Sequence, residues 1–305
     1  MVSTGSRALI LHGGVDNPPT DLVRGGLQAA WRSGTAEDTV MGAVVAAVAH
    51  LEDDENFNAG RGSVLNAEGE VETDAAVVDP STGRYAGVGA LRGFRNPVKV
   101  ARALLDRRGP VLLVGEGAAS FARDAGLETS DLVTPDQVTA LRAGSEVNPF
   151  TGLTAGDTVG AIGLDADLRV AVASSTGGVL GKWPGRVGDA PVFGAGIYAT
   201  GTVAVLSSGQ GEHSLRNALA ARIGMDCEAG RPARESVEAA IATARDDNAT
   251  SALLVVDIRQ KVVVAGHSGA SFPLVIDGEF VSVAPDTILE VALPTPIEER
   301  SRYAN

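Results

Sequence analysis

The apolar positions of this chain fall into short runs punctuated by glycine, proline and acidic residues, and the runs change period from helix to strand. Residues 8–11 (Ala-Leu-Ile-Leu) form an apolar run stopped by Gly13-Gly14, which predicts a short buried strand. Pro18-Pro19-Thr20 then opens a helix that ends near Gly34. Thr35-Ala36-Glu37-Asp38 reads as the N-cap and acidic first turn of a second helix. In that helix Val40, Met41, Val44, Val48 and Leu51 recur at helical spacing and predict one buried face. Three later segments share another pattern: an apolar run of small residues, a polar turn, and a second such run. They are 74–89 turning at Pro80-Ser81-Thr82-Gly83, 158–174 turning at Asp165-Ala166-Asp167, and 251–266 turning at Ile258-Arg259-Gln260. Each predicts a β-hairpin. Their strands are apolar on both faces rather than alternating, so the sheets must be covered on both sides. Helices are predicted over 97–106, 115–124, 210–223 and 232–244. Helices, stacked sheets and helices again predict an α+β fold, a four-layer αββα sandwich.

Residues 126–157 carry Thr, Ser, Asp and Gly with weak periodicity, and Val147-Asn148-Pro149-Phe150-Thr151-Gly152 is turn chemistry. This stretch reads either as a surface loop between halves or as a tail created by a cut before Thr158. Apolar residues make up 44% of the 305 and aromatic ones only 4%, so the core is built from small side chains. The net charge of −13 argues against nucleic acid, and any anionic substrate needs a local positive group. A single cysteine, Cys227, excludes an intramolecular disulfide framework and a cysteine metal cluster. The N-terminal apolar run is too short for a signal peptide, and no stretch approaches a membrane span. A cytoplasmic protein is expected.

The chemistry concentrates between residues 156 and 212. In Gly156-Asp157-Thr158-Val159-Gly160, a cut at the Asp157–Thr158 bond would give Thr158 a free α-amine. Such an amine activates its own hydroxyl, which is otherwise a weak nucleophile. Thr158 could make the cut itself by attacking the preceding carbonyl, giving an ester that water resolves, with Asp157 orienting or deprotonating it. Thr176, at the far end of the same hairpin, falls beside Thr158 in an antiparallel pair. Arg186 and Asp189, in Gly185-Arg186-Val187-Gly188-Asp189, offer one charge for a carboxylate and one for an ammonium. That segment taken alone fits a local Arg–Asp ion pair better. Ser208 and Gly209 follow a strand and precede a helix, where hydroxyl and N–H groups can stabilise an oxyanion.

With these residues in place, the chain resembles the plant-type L-asparaginase and isoaspartyl peptidase family of N-terminal-nucleophile hydrolases. The resemblance runs through Leu11-His12-Gly13-Gly14, Phe57-Asn58-Ala59-Gly60-Arg61-Gly62-Ser63-Val64-Leu65, Glu70-Val71-Glu72-Thr73-Asp74-Ala75 and Asn96-Pro97-Val98-Lys99-Val100-Ala101-Arg102. It is densest from Asp157 to Glu212, including Arg186-Val187-Gly188-Asp189-Ala190-Pro191 and Gly194-Ala195-Gly196-Ile197-Tyr198-Ala199. It implies an αββα fold cut into residues 1–157 and 158–305, with Thr158 as nucleophile and Thr176 as the second active-site threonine. Arg186 would grip the substrate α-carboxylate and Asp189 its α-amine, Ser208 and Gly209 would form the oxyanion pair, and Asn58 would line the site. Ser208 stands where the family has threonine. The resemblance further implies a structural sodium ion on the backbone carbonyls of Leu51, Glu52, Asp54, Phe57, Ala59 and Arg61, no cofactor for catalysis, and a homodimer of cleaved αβ protomers. The expected activity is hydrolysis of β-aspartyl amides, from L-asparagine or isoaspartyl dipeptides.

Four rival readings stand beside it. A glycosylasparaginase shares the Asp-Thr cut and the Arg and Asp pair, but belongs to secretory, lysosomal or periplasmic routes. A serine hydrolase would use Gly266-His267-Ser268-Gly269, but Ala270 stands where a nucleophile elbow needs glycine. An uncleaved protein that binds aspartate or asparagine would have no need of both Asp157 and Thr158. Metal hydrolysis finds no ligand spacing among His12, His50, His213 and His267.

Overall fold

The computed structural model describes residues 8–144, 158–269 and 271–294. Asp157, the 147–152 turn and Ala270 therefore lie outside the described residues. The first half runs β1 (Ala8–His12), α1 (Asp21–Thr35), α2 (Val40–Glu52), β2 (Thr73–Asp79), β3 (Arg84–Leu91), α3 (Pro97–Leu105), β4 (Leu112–Val114), α4 (Gly115–Asp124) and α5 (Pro135–Gly144). The second half continues with β5 (Val159–Leu164), β6 (Val170–Thr176), β7 (Ile197–Ala199), β8 (Val203–Gly209), α6 (Gly211–Asn217), α7 (Leu219–Glu228) and α8 (Ala233–Asp246). It closes with β9 (Ser251–Asp257), β10 (Val262–His267), β11 (Phe272–Ile276), β12 (Glu279–Val283) and β13 (Ile288–Ala292).

The strands form two sheets. One has eight strands in the order β12-β11-β1-β5-β6-β2-β3-β4, and the other five in the order β13-β10-β9-β8-β7. All three expected hairpins form: β2–β3, β5–β6 and β9–β10. Alternate residues of each strand go to different cores, as a period of two requires. Val159, Ala161, Ala171 and Ala173 join Val44, Val48 and Leu51 of α2 in one cluster, while Ile162, Val172, Leu206 and Leu254 join in a second. A third cluster packs Leu253 and Val255 of β9 against Ile223 of α7 and Val237 of α8. No helix among the described residues is long and apolar enough to cross a membrane.

Three local expectations need correction. The cap of α2 is Thr39, whose side chain accepts from the Gly42 N–H at 3.0 Å. Thr35 instead ends α1 and donates its hydroxyl to the Trp31 carbonyl at 3.0 Å. The helix expected over 210–223 is two helices, because Ala218 adopts φ 45°, ψ 49° between them. Within 126–157 a helix, α5, stands where only a loop or tail was expected. Its Gln137 side chain reaches across to the carbonyls of Arg61 (2.8 Å) and Ser63 (2.6 Å).

Candidate active site

The open end of the β5–β6 hairpin carries the candidate nucleophile. Val159 pairs with Ser175 across the hairpin, so continuing the register by one residue sets Thr158 opposite Thr176. Thr176 in turn pairs with Asp74 on β2. Thr158 and Thr176 are each 3% exposed. The Thr158 backbone N–H donates to Ser208 Oγ at 3.3 Å, and the Val15 N–H donates to the same oxygen at 3.3 Å. The bond expected to be cut thus has its nitrogen already aimed at the candidate oxyanion residue. Two N–H donors fill the acceptor side of the Ser208 hydroxyl and leave its own hydrogen to be donated elsewhere. Gly209 follows at φ 127°, and a side chain there would meet the Thr250 carbonyl at 2.3 Å, so only glycine fits.

Thr176 Oγ1 accepts from the Gly178 N–H at 3.0 Å, which folds the chain back directly after the strand. Asn58 holds that turn from the other side. Its Nδ2 donates to the Gly178 carbonyl at 2.7 Å, its own carbonyl accepts from the Gly177 N–H at 2.8 Å, and its Oδ1 accepts from the Val64 N–H at 3.0 Å. Asn58 is therefore brought to the threonine pair by the Gly177-Gly178 turn. Any side chain at Gly177 would collide with Asn58 Oδ1 at 2.4 Å.

Arg186 and Asp189 lie close together but do not satisfy one another. The Arg186 guanidinium donates to Glu212 through Nε and Nη2, each at 3.0 Å, so the local Arg–Asp pair that the segment also allowed is not the arrangement seen. Burial pushes the Glu212 carboxyl up, but Arg186 outweighs it and holds the group below its ordinary range. Asp189 is 3% exposed, and its Oδ2 has no hydrogen-bond partner among the described residues. Burial pushes Asp189 up to about 6, with the nearby Arg186 charge pulling it back. The side chains converge at Gly211, whose missing Cβ would sit 3.0 Å from both Arg186 Nη2 and Asp189 Oδ1. A bound group that presents both a carboxylate and an ammonium suits this pair, since it would meet a guanidinium and a buried carboxylate with one oxygen unpartnered.

Several side chains around the site were given no catalytic or substrate-binding role from sequence. His12 pairs with Gly160 on β5, and its ring fills the space above that glycine, Nε2 lying 2.4 Å from where a Cβ would stand. It is fully buried, neither ring nitrogen has a partner of hydrogen-bonding geometry among the described residues, and burial pushes its pKa down to about 3. Glu52 is also fully buried. It accepts from the Val98 N–H at 2.9 Å, lies near Ser175, and is pushed up to about 8 by burial. Lys182 is 2% exposed and donates to the Glu72 carbonyl at 2.7 Å. Glu212, Lys182 and Glu52 find their partners across 26 to 110 residues of chain, and no local pattern marks such pairs.

The loop expected to offer carbonyls to a cation is a run of tight turns. Carbonyls of Leu51, Asp54, Phe57 and Ala59 accept from Asp54, Phe57, Ala59 and Gly62 N–H groups at 2.8–3.3 Å, and that of Arg61 accepts from Gln137. The Glu52 carbonyl packs against Gly60. Each carbonyl keeps a second lone pair, and oxygen donors are what a hard cation takes. Among the described residues no group of three or more His, Cys, Asp or Glu could hold a metal.

The profile of the family described as Asparaginase matches residues 6–280. The chain belongs to the asparaginase family. An "Isoaspartyl peptidase/L-asparaginase" of Danio rerio is 34% identical over 275 residues, covering 86% of this chain and 86% of the relative. A "Plant-type L-asparaginase" of Pyrococcus abyssi is 35% identical over 290 residues, covering 86% and 93%. An "Isoaspartyl peptidase/L-asparaginase" of Mus musculus is 36% identical over 253 residues, covering 77% of each chain. Membership makes this chain an amidohydrolase and agrees with the resemblance drawn from the motifs.

Proposed function

We propose that this asparaginase-family chain cuts itself between Asp157 and Thr158 and then hydrolyses β-aspartyl amides through the Thr158 hydroxyl. The observation that carries this reading is the Thr158 backbone nitrogen directed at Ser208 Oγ, with Thr176 opposite in register. In the first step the Thr158 hydroxyl attacks the Asp157 carbonyl and the peptide nitrogen leaves, forming an ester. That shift frees the α-amine, whose ordinary pKa of about 7.7–8 leaves a useful neutral fraction near pH 7, and water then hydrolyses the ester, releasing the Thr158 hydroxyl and the Asp157 carboxylate. The cut separates an α part, residues 1–157, from a β part, residues 158–305, and both stay in one domain. We read that domain as the four-layer αββα sandwich, supported by three of its apolar clusters, one shared by the two sheets and one between each sheet and its helices.

Substrate then binds by its head group. Arg186 takes the α-carboxylate while retaining Glu212, since Nη1 is used in neither of the Glu212 bonds. Asp189 takes the α-ammonium. The side-chain carbonyl comes to rest over Thr158, whose hydroxyl attacks while its own amine accepts the proton. Ser208 and the Gly209 N–H stabilise the developing oxyanion. The C–N bond breaks, the amine proton passes to the leaving nitrogen, and ammonia or a peptide amine departs. Water hydrolyses the remaining acyl-enzyme ester and aspartate leaves. The grip on the head group is the same for L-asparagine and for an isoaspartyl dipeptide, so both are substrates, in accord with the paired activities named for the relatives. The carbonyls of Leu51, Glu52, Asp54, Phe57, Ala59 and Arg61 would hold sodium and stiffen the loop that carries Asn58. The cleaved unit pairs as a homodimer in this reading.

Assays of L-asparagine, isoaspartyl-leucine and a glycosylated asparagine on the processed protein test the proposal. Turnover of either of the first two supports it. Turnover of the glycosylated compound alone makes the protein a glycosylasparaginase, and tight binding of aspartate without turnover makes it a binding protein.

A further inference from the structure

The loop that presents Arg186 is pinned at both ends by carboxylates from a different part of the chain. Glu72 Oε2 accepts from the Gly185 N–H at 2.9 Å, and Asp74 Oδ2 accepts from the Gly188 N–H at 2.9 Å. Only Arg186 and Val187 lie between the two anchor points. Glu72 and Asp74 are two residues apart on extended chain and so share one face. The second oxygen of each is also occupied. Glu72 Oε1 accepts from Arg92 Nε at 2.9 Å and Nη2 at 2.6 Å, and Asp74 Oδ1 accepts from the Ala90 N–H at 2.8 Å. The buried Lys182 ammonium ties the Glu72 carbonyl from behind. Asp74 also sits directly across from Thr176, so one strand position indexes both the threonine row and the Arg186 loop.

This loop needs outside support. Gly185 has φ 82°, and a side chain at Gly188 would approach Arg186 Nη1 to 3.0 Å. Glycines give the backbone freedom that must be removed on folding. A carboxylate accepting a backbone N–H makes a strong charge-assisted bond, and two of them fix the guanidinium's reach. Glu212 already holds Arg186, so a small shift of the loop changes how much of the guanidinium faces a substrate.

We propose that Glu72 and Asp74 are positioning residues that set the placement of Arg186 relative to Thr158, and through it the affinity for substrates bearing an α-carboxylate. The inference rests on Arg186 gripping that carboxylate. Asp74→Asn keeps size but can accept only one of its two N–H donors, and Glu72→Gln does the same at the other end of the loop. On fully processed protein, each is expected to raise KM for L-asparagine about tenfold with kcat changed less than about threefold. In an Arg186→Ala background the same substitutions are expected to change KM less than about twofold, because a positioning effect disappears with the group positioned. A general loosening of the fold would act equally in both backgrounds. If Asp74→Asn does not fold, Glu72→Gln at the more exposed end decides alone. A KM increase that persists without Arg186 overturns the inference, as does an unchanged KM in a protein where Arg186→Ala itself raises it. If Arg186→Ala leaves KM unchanged, the carboxylate-gripping reading falls first and this inference with it.

Discussion

The hairpins β5–β6 and β9–β10 are built alike from small apolar residues, buried on both faces, with hydroxyl and imidazole groups near their ends. The groups at their ends differ, although Ser251 Oγ of β9 is, like Ser174 and Ser175 of β6, buried without a partner among the described residues. In β9–β10, Ser268 Oγ donates to the Ala249 carbonyl and accepts from the Ser251 N–H, each at 3.0 Å. His267 bonds the Val283 carbonyl at 2.9 Å and the Gly269 N–H at 3.2 Å. The Ser and His that superficially suggested a serine hydrolase are thus engaged with backbone. At the open end of β5–β6, Thr158 lies opposite Thr176 and donates its N–H to Ser208, and the buried His12 ring packs over Gly160 beside them with neither nitrogen in a hydrogen bond of good geometry. Buried polar groups that lack partners are expensive unless a ligand or reaction uses them, so chemistry is to be sought where they converge.

The sharpest break of this comparison is a matched pair of substitutions. Thr158→Ala is expected to lower amidase activity by about 10³-fold or more, the scale of losing a catalytic nucleophile. Ser268→Ala is expected to keep activity within about twofold while costing roughly 1 kcal/mol of stability in denaturant titration. Similar activity losses in both variants would erase the distinction between the hairpins.

Next in size is Arg186→Ala. Loss of a charge-assisted, two-pronged contact of about 2–3 kcal/mol is expected to raise KM about 10²-fold, measured by initial rates with L-asparagine. The extent of chain cleavage, read on a denaturing gel, is expected to be unchanged, because the proposal gives Arg186 to the substrate and not to the cut.

The third concerns pH. Asp189 must be ionised to hold an ammonium, and burial has raised it to about 6. KM is therefore expected to rise about tenfold as pH falls from about 7 to about 5, with Asp189→Asn flattening the profile. A flat wild-type KM profile through this range would separate Asp189 from substrate.

The smallest effect lies behind the hairpin. Glu52 is raised from 4.5 to about 8, so the folded state holds a proton that the unfolded chain has given up. Stability linked to that proton is complete below about pH 4.5 and is lost as pH rises toward 8. Glu52→Gln has nothing to titrate, and its Tm advantage over wild type is expected to be larger at pH 8 than at pH 5. A pH-independent difference would show that Glu52 does not titrate in the folded protein.

Much of the frame was legible because it is local. Turn residues and two-faced apolar runs marked the three hairpins, helical spacing marked α2, start and stop residues marked α1, and α3, α4 and α8 fall where helices were expected. The errors share a cause. Ala218 breaks a helix in a left-handed conformation although alanine favours helix, and Thr39 rather than Thr35 caps α2 although both are threonines, so local propensity did not decide either point. Of the site, residues within recognisable motifs were named in advance. The ties around Arg186 were not: Glu72, Asp74 and Lys182 act across more than 100 residues, and acidic or basic residues at such separations look like ordinary charges.

The central claim is that a backbone nitrogen at residue 158 becomes the amine that activates its own hydroxyl. Mass spectrometry of aged, active protein tests it most directly. Cleavage predicts fragments of 157 and 148 residues from the 305-residue chain, the second beginning at Thr158, with activity rising in step with their appearance. Full activity in an intact chain would contradict it.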